Sequence, residues 1–413
     1  MIKIACHKLA NGLEVVHSRN AISGMAAVNV LYKVGSRNES PQYTGLAHFL
    51  EHLMFTGSEN ARNFDTCMQE AGGENNAWTN NDITNYYEVL PVQNIETAFW
   101  LEADRMQKLL LSDKAVETQR SVVQEEFKQR CLNAPYGDVG HVLRALVYKQ
   151  SPYRWPVIGK SLSDIEDVSK AVIRDFYTSH YAPNNAILSI VGNVDAEKVF
   201  ELAHKWFGNM CSRKMPNDDV PEEPKQTEAR TAHILKDVPY SLLVKAYRMC
   251  GRLGTDYVAC DLISDLLSNG RSSRLFRNVY AKGGLVSSID ASITGDLADG
   301  MFVIKAQLLP GVGFEKAEKA ITDELERLLQ DGADAMELEK AANRFESNLL
   351  FGNLNNDERA YNLAYYQMLG NAEGINMEAE RYRSITSSQV LEIGRRLFRP
   401  ENSSTLYYES NRK

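Results

Sequence analysis

Thr44-Gly45-Leu46-Ala47-His48-Phe49-Leu50-Glu51-His52-Leu53-Met54-Phe55 sets apolar residues at 46, 49, 50, 53 and 54, the spacing of one helix face. The run predicts a helix over about 45–56, with Thr44 capping its start and Gly57 ending it. On that helix His48 and His52 stand at i and i+4 and project from one face a turn apart. This separation suits two imidazoles on one tetrahedral zinc. Glu51 flanks the same face without being a ligand. From there a carboxylate can take the proton of a metal-held water as it attacks a carbonyl. A lone histidine on such a face is ordinarily structural, and two at this spacing arise by chance. The order His-x-x-Glu-His, however, is the inverted-zincin signature, and the chain has only eight histidines. His7, His17, His141, His180, His204 and His233 lack paired spacing and read as structural or surface residues.

A catalytic zinc needs a third protein ligand and an open fourth position. Val116 to Arg130, VETQRSVVQEEFKQR, is the next acid-rich helical run. Glu126 shares a face with Val122 and Val123, whereas Glu125 lies with Ser121, Lys128 and Gln129. The interior face favours Glu126, although solvent is the ordinary fate of either glutamate.

Composition narrows the class. With 413 residues, 44% hydrophobic and 24% charged, the chain reads as a soluble globular protein of two or more domains. A net charge of −8 argues against nucleic acid, which needs a basic footprint. No apolar run approaches the roughly 18–20 residues of a membrane span. The start, MIKIACHKLANGLEVVHS, has no basic-then-apolar leader, so a cytoplasmic location is expected. Cys6, Cys67, Cys131, Cys211, Cys250 and Cys260 are scattered singly, as reduced thiols would be. There is no G-x-S-x-G nucleophile elbow, and Gly283-Gly284 alone is not a phosphate loop.

The stretch 212–230, SRKMPNDDVPEEPKQTEAR, is charged, proline-rich and nearly devoid of apolar residues, and reads as a linker. It separates 1–211, carrying the His-x-x-Glu-His helix, from 231–413. Strands are expected at Leu13–Val16, Ala26–Tyr32, Ala186–Val191, Ser241–Tyr247 and Thr405–Tyr408. Helices are expected near 61–71, 92–110, 114–130, 137–148 and 168–178, then near 255–268, 313–330, 335–350, 356–369 and 387–397. The coarse order is similar in the two halves. The expected fold class is α+β: an antiparallel-rich sheet layered with helices, made twice.

At this point the sequence resembles the pitrilysin or insulinase-like M16 metallopeptidases. It is most similar to the small-subunit branch that includes the mitochondrial processing peptidase and bacterial relatives. The family pattern is His-x-x-Glu-His followed some seventy residues later by a ligand glutamate. Glu126 lies 74 positions after His52, and QRSVVQEEF resembles the family's ER-x-V-V-x-x-E. The resemblance therefore implies zinc held by His48, His52 and Glu126, with Glu51 as general base. Gly72 to Thr79, GGENNAWT, resembles the strand GG-x-x-NA-x-T. This implies that Asn76, Ala77, Trp78 and Thr79 meet a peptide substrate that adds as a further strand. Asn76 reads equally as a turn or bulge residue.

Two departures stand out. Gln119 occupies a position often glutamate in relatives. After Gly270-Arg271-Ser272-Ser273-Arg274-Leu275-Phe276, which resembles G-x-SSRLF, the family's substrate-gripping arginine and tyrosine are replaced by Tyr280 and Ser287. The resemblance implies a chamber closed by a second two-domain subunit, either a partner carrying that Arg/Tyr pair or a second copy of this chain. It also admits a non-catalytic structural or assembly subunit of the same fold.

Overall fold

The computed structural model describes residues 1–217 and 219–412; Asp218, inside the expected linker, and Lys413 lie outside them. In chain order the strands are β1 (Ala5–Lys8), β2 (Glu14–Arg19), β3 (Met25–Tyr32), β4 (Glu74–Thr79), β5 (Thr84–Pro91), β6 (Ala186–Gly192), β7 (Arg230–Lys236), β8 (Leu242–Met249), β9 (Val286–Ile293), β10 (Gly300–Leu308) and β11 (Ser403–Ser410). The helices are α1 (Leu46–Leu53), α2 (Phe64–Glu70), α3 (Ile95–Lys108), α4 (Asp113–Phe127), α5 (Val139–Val147), α6 (Leu162–Glu166) and α7 (Lys170–His180). They continue with α8 (Ala196–Phe207), α9 (Tyr257–Ser268), α10 (Phe314–Asp331), α11 (Ala335–Gly352), α12 (Asn356–Met368), α13 (Gly374–Arg383) and α14 (Ser387–Leu397).

Two compact units form. One takes Met1–Lys128, Trp155–Asp219 and Leu349–Met377; the other takes Gln129–Arg154, Val220–Asn348 and Glu378–Lys413. The sequence halves 1–211 and 231–413 do not coincide with these units, because Gln129–Arg154 and Leu349–Met377 each pack away from their own half. The expected linker 212–230 is also more anchored than its composition suggests. Glu223 is buried, and its carboxylate accepts the backbone N–H groups of Lys149, Gln150 and Ser151 at 2.6, 2.8 and 2.8 Å.

The first unit is built on a six-stranded sheet in the order β1-β2-β6-β3-β5-β4. β2 and β6 run parallel; the other neighbours are antiparallel. β6, AILSIVG, is an unbroken apolar run buried along its whole length, as a central strand covered on both faces should be. On one face α12 lays Ala360, Leu363 and Ala364 against Val16, Ala27, Leu31, Ile187 and Val191. Strand alternation turns Val28, Val30 and Tyr32 to the other face. There Tyr32 and Tyr86 meet edge to face at 5.8 Å, and α1 and α3 pack.

That second face also buries a charge cluster. Arg105 of α3 is wholly buried and bonds Glu102 and Glu88, with Glu88 Oε1 at 3.2 Å. Its guanidinium lies over the rings of Phe64 and Tyr86, 4.3 and 4.2 Å from their centroids. Burial, then the Glu102 charge, holds the Glu88 carboxyl well above the ordinary carboxylate range.

The second unit repeats the plan with a five-stranded sheet, β7-β11-β8-β10-β9, again with one parallel pair, β7 and β11. α9 follows β8 as α1 follows β3. It buries Val258, Ala259, Cys260, Leu262 and Ile263 and carries no histidine. The fold class is thus α+β in two similar domains. Among the described residues no helix is long and apolar enough to cross a membrane, and all six cysteines are free thiols.

Candidate metal centre

α1 starts in an unexpected way. Its N-cap is Gly45 at φ 87°, ψ 4°, and no side chain caps it from that position. A Cβ on Gly45 would also lie 2.7 Å from the Ile158 carbonyl oxygen, so only glycine suits the site. Thr44 does not cap; its hydroxyl donates to Asp164 Oδ2 at 2.5 Å. The orphan N–H groups go instead to Glu39, whose Oε2 accepts Gly45 N–H at 2.9 Å and whose Oε1 accepts Ala47 N–H at 2.8 Å. Burial raises the Glu39 pKa to about 8, against the lowering pull of those N–H bonds and of the Trp155 indole. The helix ends at Leu53 with Met54 as C-cap, three residues ahead of Gly57.

From α1, His48 and His52 bring their Nε2 atoms to 3.3 Å of each other. Glu126, on α4, sets Oε2 3.7 Å from His48 Nε2 and 3.4 Å from His52 Nε2. One ligand atom from each of the three side chains lies within 4.8 Å of the others, and among the described residues no other such group of histidine, cysteine or carboxylate side chains forms. Two atoms about 2.05 Å from a tetrahedral centre lie about 3.3 Å apart, so the donor set fits zinc in spacing and chemistry. His48, His52 and Glu126 keep 11%, 24% and 18% side-chain exposure, which leaves the cluster open on one side.

Glu126 reaches the cluster because α4 lies against α1. The buried stripe of α4 runs through Val116, Val123 and Phe127. Glu126 borders it, while Glu125 is more than half exposed and 3.8 Å from Lys128. Val122, expected on the Glu126 face, is instead exposed, since the stripe passes through Val123. Arg120 pins α4 to the last turn of α6 and the residues just beyond it. It donates to the carbonyls of Ile165, Glu166 and Val168, the last two at 3.2 and 2.9 Å, and lies 5.5 Å over the Phe49 ring.

Glu51 Oε2 accepts the hydroxyl proton of Thr79 at 2.5 Å. Thr79 closes β4, the edge strand of the first sheet. Of the residues expected to meet substrate, Thr79 thus stands beside Glu51. Asn76 Oδ1 accepts Ala77 N–H at 2.8 Å, and Trp78 packs against Tyr361 with ring centroids 5.1 Å apart. Tyr280 stacks on Phe276 at 4.8 Å, and Ser287 donates to the Gln307 carbonyl at 3.3 Å. The sequence reading missed Glu39 and the clamp made by Arg120. Glu39, close upstream of the helix, and Arg120, inside the QRSVV segment, were the available signals.

Residues 14–150 match the family model described as Insulinase (Peptidase family M16), and residues 167–345 match the Peptidase M16 inactive domain. The zinc protease PqqE of Helicobacter pylori is 32% identical over 406 residues, covering 97% of this chain and 91% of the relative. The chain belongs to the M16 peptidase family. An uncharacterised zinc protease of Rickettsia bellii is 26% identical over 98% of this chain and 97% of its own length. The crystal structure of a protease from Helicobacter pylori superposes with a TM-score of 0.94 at 31% identity, covering 99% of this chain and all of the other. Pitrilysin shares the fold at a TM-score of 0.81 and 21% identity, with 99% of this chain matched to 45% of that one.

Proposed function

We propose that this chain is a zinc-dependent endopeptidase for peptides and unfolded segments, with His48, His52 and Glu126 as ligands and Glu51 as general base. The observation that carries the reading is the convergence of those three ligand groups beside a carboxylate that is itself held in place. Zinc, when bound, supplies the Lewis acidity that polarises a peptide carbonyl and acidifies water. Glu51 takes the proton of the attacking water and returns it to the leaving amine. β4 offers its outer edge to an extended peptide, which adds as a strand through main-chain bonds along Asn76, Ala77, Trp78 and Thr79. The Asn76 side chain covers the Ala77 N–H and has to swing aside for that pairing.

The halves 1–211 and 231–413 are read as two copies of one ancestral unit, only the first of which holds metal. A chamber closed by a second two-domain subunit completes the site. Tyr280 and Ser287 favour a partner carrying the missing Arg/Tyr pair over a second copy. The six free thiols fit a reducing, cytoplasmic setting.

The same substitutions favour a second reading, a non-catalytic assembly subunit, for which the zinc residues would be relics. Metal analysis of the purified protein, run with cleavage of a quenched fluorescent peptide with and without chelator, separates the two. About one zinc per chain with chelator-sensitive cleavage supports the peptidase, and zinc with cleavage only after adding a partner supports the heterodimer. A protein without zinc or cleavage, alone and in its native assembly, overturns the proposal.

A further inference from the structure

The side-chain bond between Thr79 and Glu51 joins two elements, the edge strand β4 and the helix α1, that share one anchor. The β4–β5 turn is tied down at every residue. Asn80 N–H donates to the Ile83 carbonyl at 2.9 Å, and Asn80 Oδ1 accepts the N–H groups of Asp82 and Ile83 at 2.7 and 2.8 Å. That turn is stitched to the segment 35–38. Ser36 and Arg37 donate their backbone N–H groups to the carbonyls of Asn80 and Asn81 at 3.1 and 2.9 Å, and Arg37 Nε lies 3.4 Å from Asp82 Oδ1. The two backbones approach so closely that a Cβ on Gly35 would lie 2.5 Å from the Asn80 carbonyl oxygen. The next residue after this segment is Glu39, which holds the first turn of α1. One stretch of five residues, 35–39, therefore fixes both the end of β4 and the start of α1. Thr84 Oγ1, which donates its own proton to the Val34 carbonyl at 2.9 Å, lies 3.5 Å from the Thr79 hydroxyl, so the Thr79 proton goes to the much closer Glu51 Oε2 at 2.5 Å.

We propose that Thr79 is a positioning residue for the base: its hydroxyl holds Glu51 Oε2 and sets the carboxylate against the strand on which a peptide pairs. The proposal rests on the general-base reading of Glu51. Because Thr79 ends the pairing strand, the alignment of the base and the register of the peptide share one reference point.

The test compares wild type, Thr79→Val, Thr79→Ser and Glu51→Gln in the native assembly, with zinc content, kcat and KM on a fluorogenic peptide, and crystal structures of the Thr79 variants. Valine keeps the branched shape that suits a strand and removes the hydroxyl. The expected result is full zinc content, a kcat lowered by about 10–100-fold at little-changed KM, and a Glu51 carboxylate turned from its wild-type orientation. Serine should recover both kcat and orientation. A Thr79→Val protein with wild-type kcat, with a raised KM alone, or with Glu51 unmoved in the crystal overturns the proposal. Retention of activity by Glu51→Gln would instead overturn the base reading, and the Glu51 orientation in the Thr79→Val crystal would still decide whether Thr79 positions it.

Discussion

Glu39 accepts the backbone N–H of Ala47 at 2.8 Å, one residue before the first histidine of the candidate metal cluster. A buried carboxyl group thus replaces the usual hydroxyl cap and fixes the axis of a helix only eight residues long, too short to persist unaided. Its pKa, raised to about 8 from 4.5, gives a signed prediction. Between those values the folded protein keeps a proton that the unfolded chain has lost, so this group's contribution falls as pH rises from about 4.5 to about 8. Relative to Glu39→Gln, wild-type stability should lose up to about 1.4 kcal/mol per pH unit across that window. Urea unfolding of both proteins at a series of pH values measures the difference, and parallel curves would refute it.

Glu51→Gln should keep its zinc and lose activity by about 10²–10⁴-fold, the span of general acid–base catalysis. His48→Ala, His52→Ala and Glu126→Ala should lose metal as well as activity. Metal analysis beside peptide cleavage separates the two classes. A Glu125→Ala protein, altered at the exposed neighbour, should match wild type in both.

Arg120→Lys keeps the charge but cannot fork across three carbonyls. α4 should loosen against α1, with zinc affinity down by about 10-fold and stability down by about 1–3 kcal/mol. Competition with a chromogenic chelator and thermal melts would report both. Unchanged affinity would show that Val123 and Phe127 hold Glu126 without help.

Arg105→Met leaves the Glu102 carboxylate buried without its cation, beside a Glu88 carboxyl that favours its proton, and should cost about 3–5 kcal/mol. Adding Glu88→Gln and Glu102→Gln should recover much of that loss, because the penalty lies in the stranded charge rather than in missing attraction. Denaturant titration of the single and triple variants reads the difference.

The helix α1 that carries the candidate metal ligands was legible because apolar spacing and ligand spacing coincide between Leu46 and Met54. Glu126 was legible as soon as a second motif fixed its distance from His52. The start of α1 was not, since Thr44 has the right chemistry for a cap, and only the approach of Glu39 and Asp164 through the fold redirects it. Val122 and Val123 look alike in sequence, and the packing angle of α4 decides which is buried. β7, RTAHILK, alternates with polar residues and is half exposed, so its pattern is weak without its partner β11. The home of α12 was hidden for another reason: its apolar face is plain, but nothing local says which of two sheets it will cover.

That choice of sheet constrains how the chain is made. β6, the last strand of the first sheet, ends at Gly192, while Ala360, Leu363, Ala364 and Ile375 arrive roughly 170–180 residues later. A ribosome adding about 5–20 residues per second needs some 10–40 seconds for that interval. During it Val16, Leu31, Ile187 and Val191 have no permanent cover. A nascent chain would spend that time with a greasy sheet face open to chaperones, and an early stop codon anywhere in the gap would release an aggregating fragment rather than a smaller working protein.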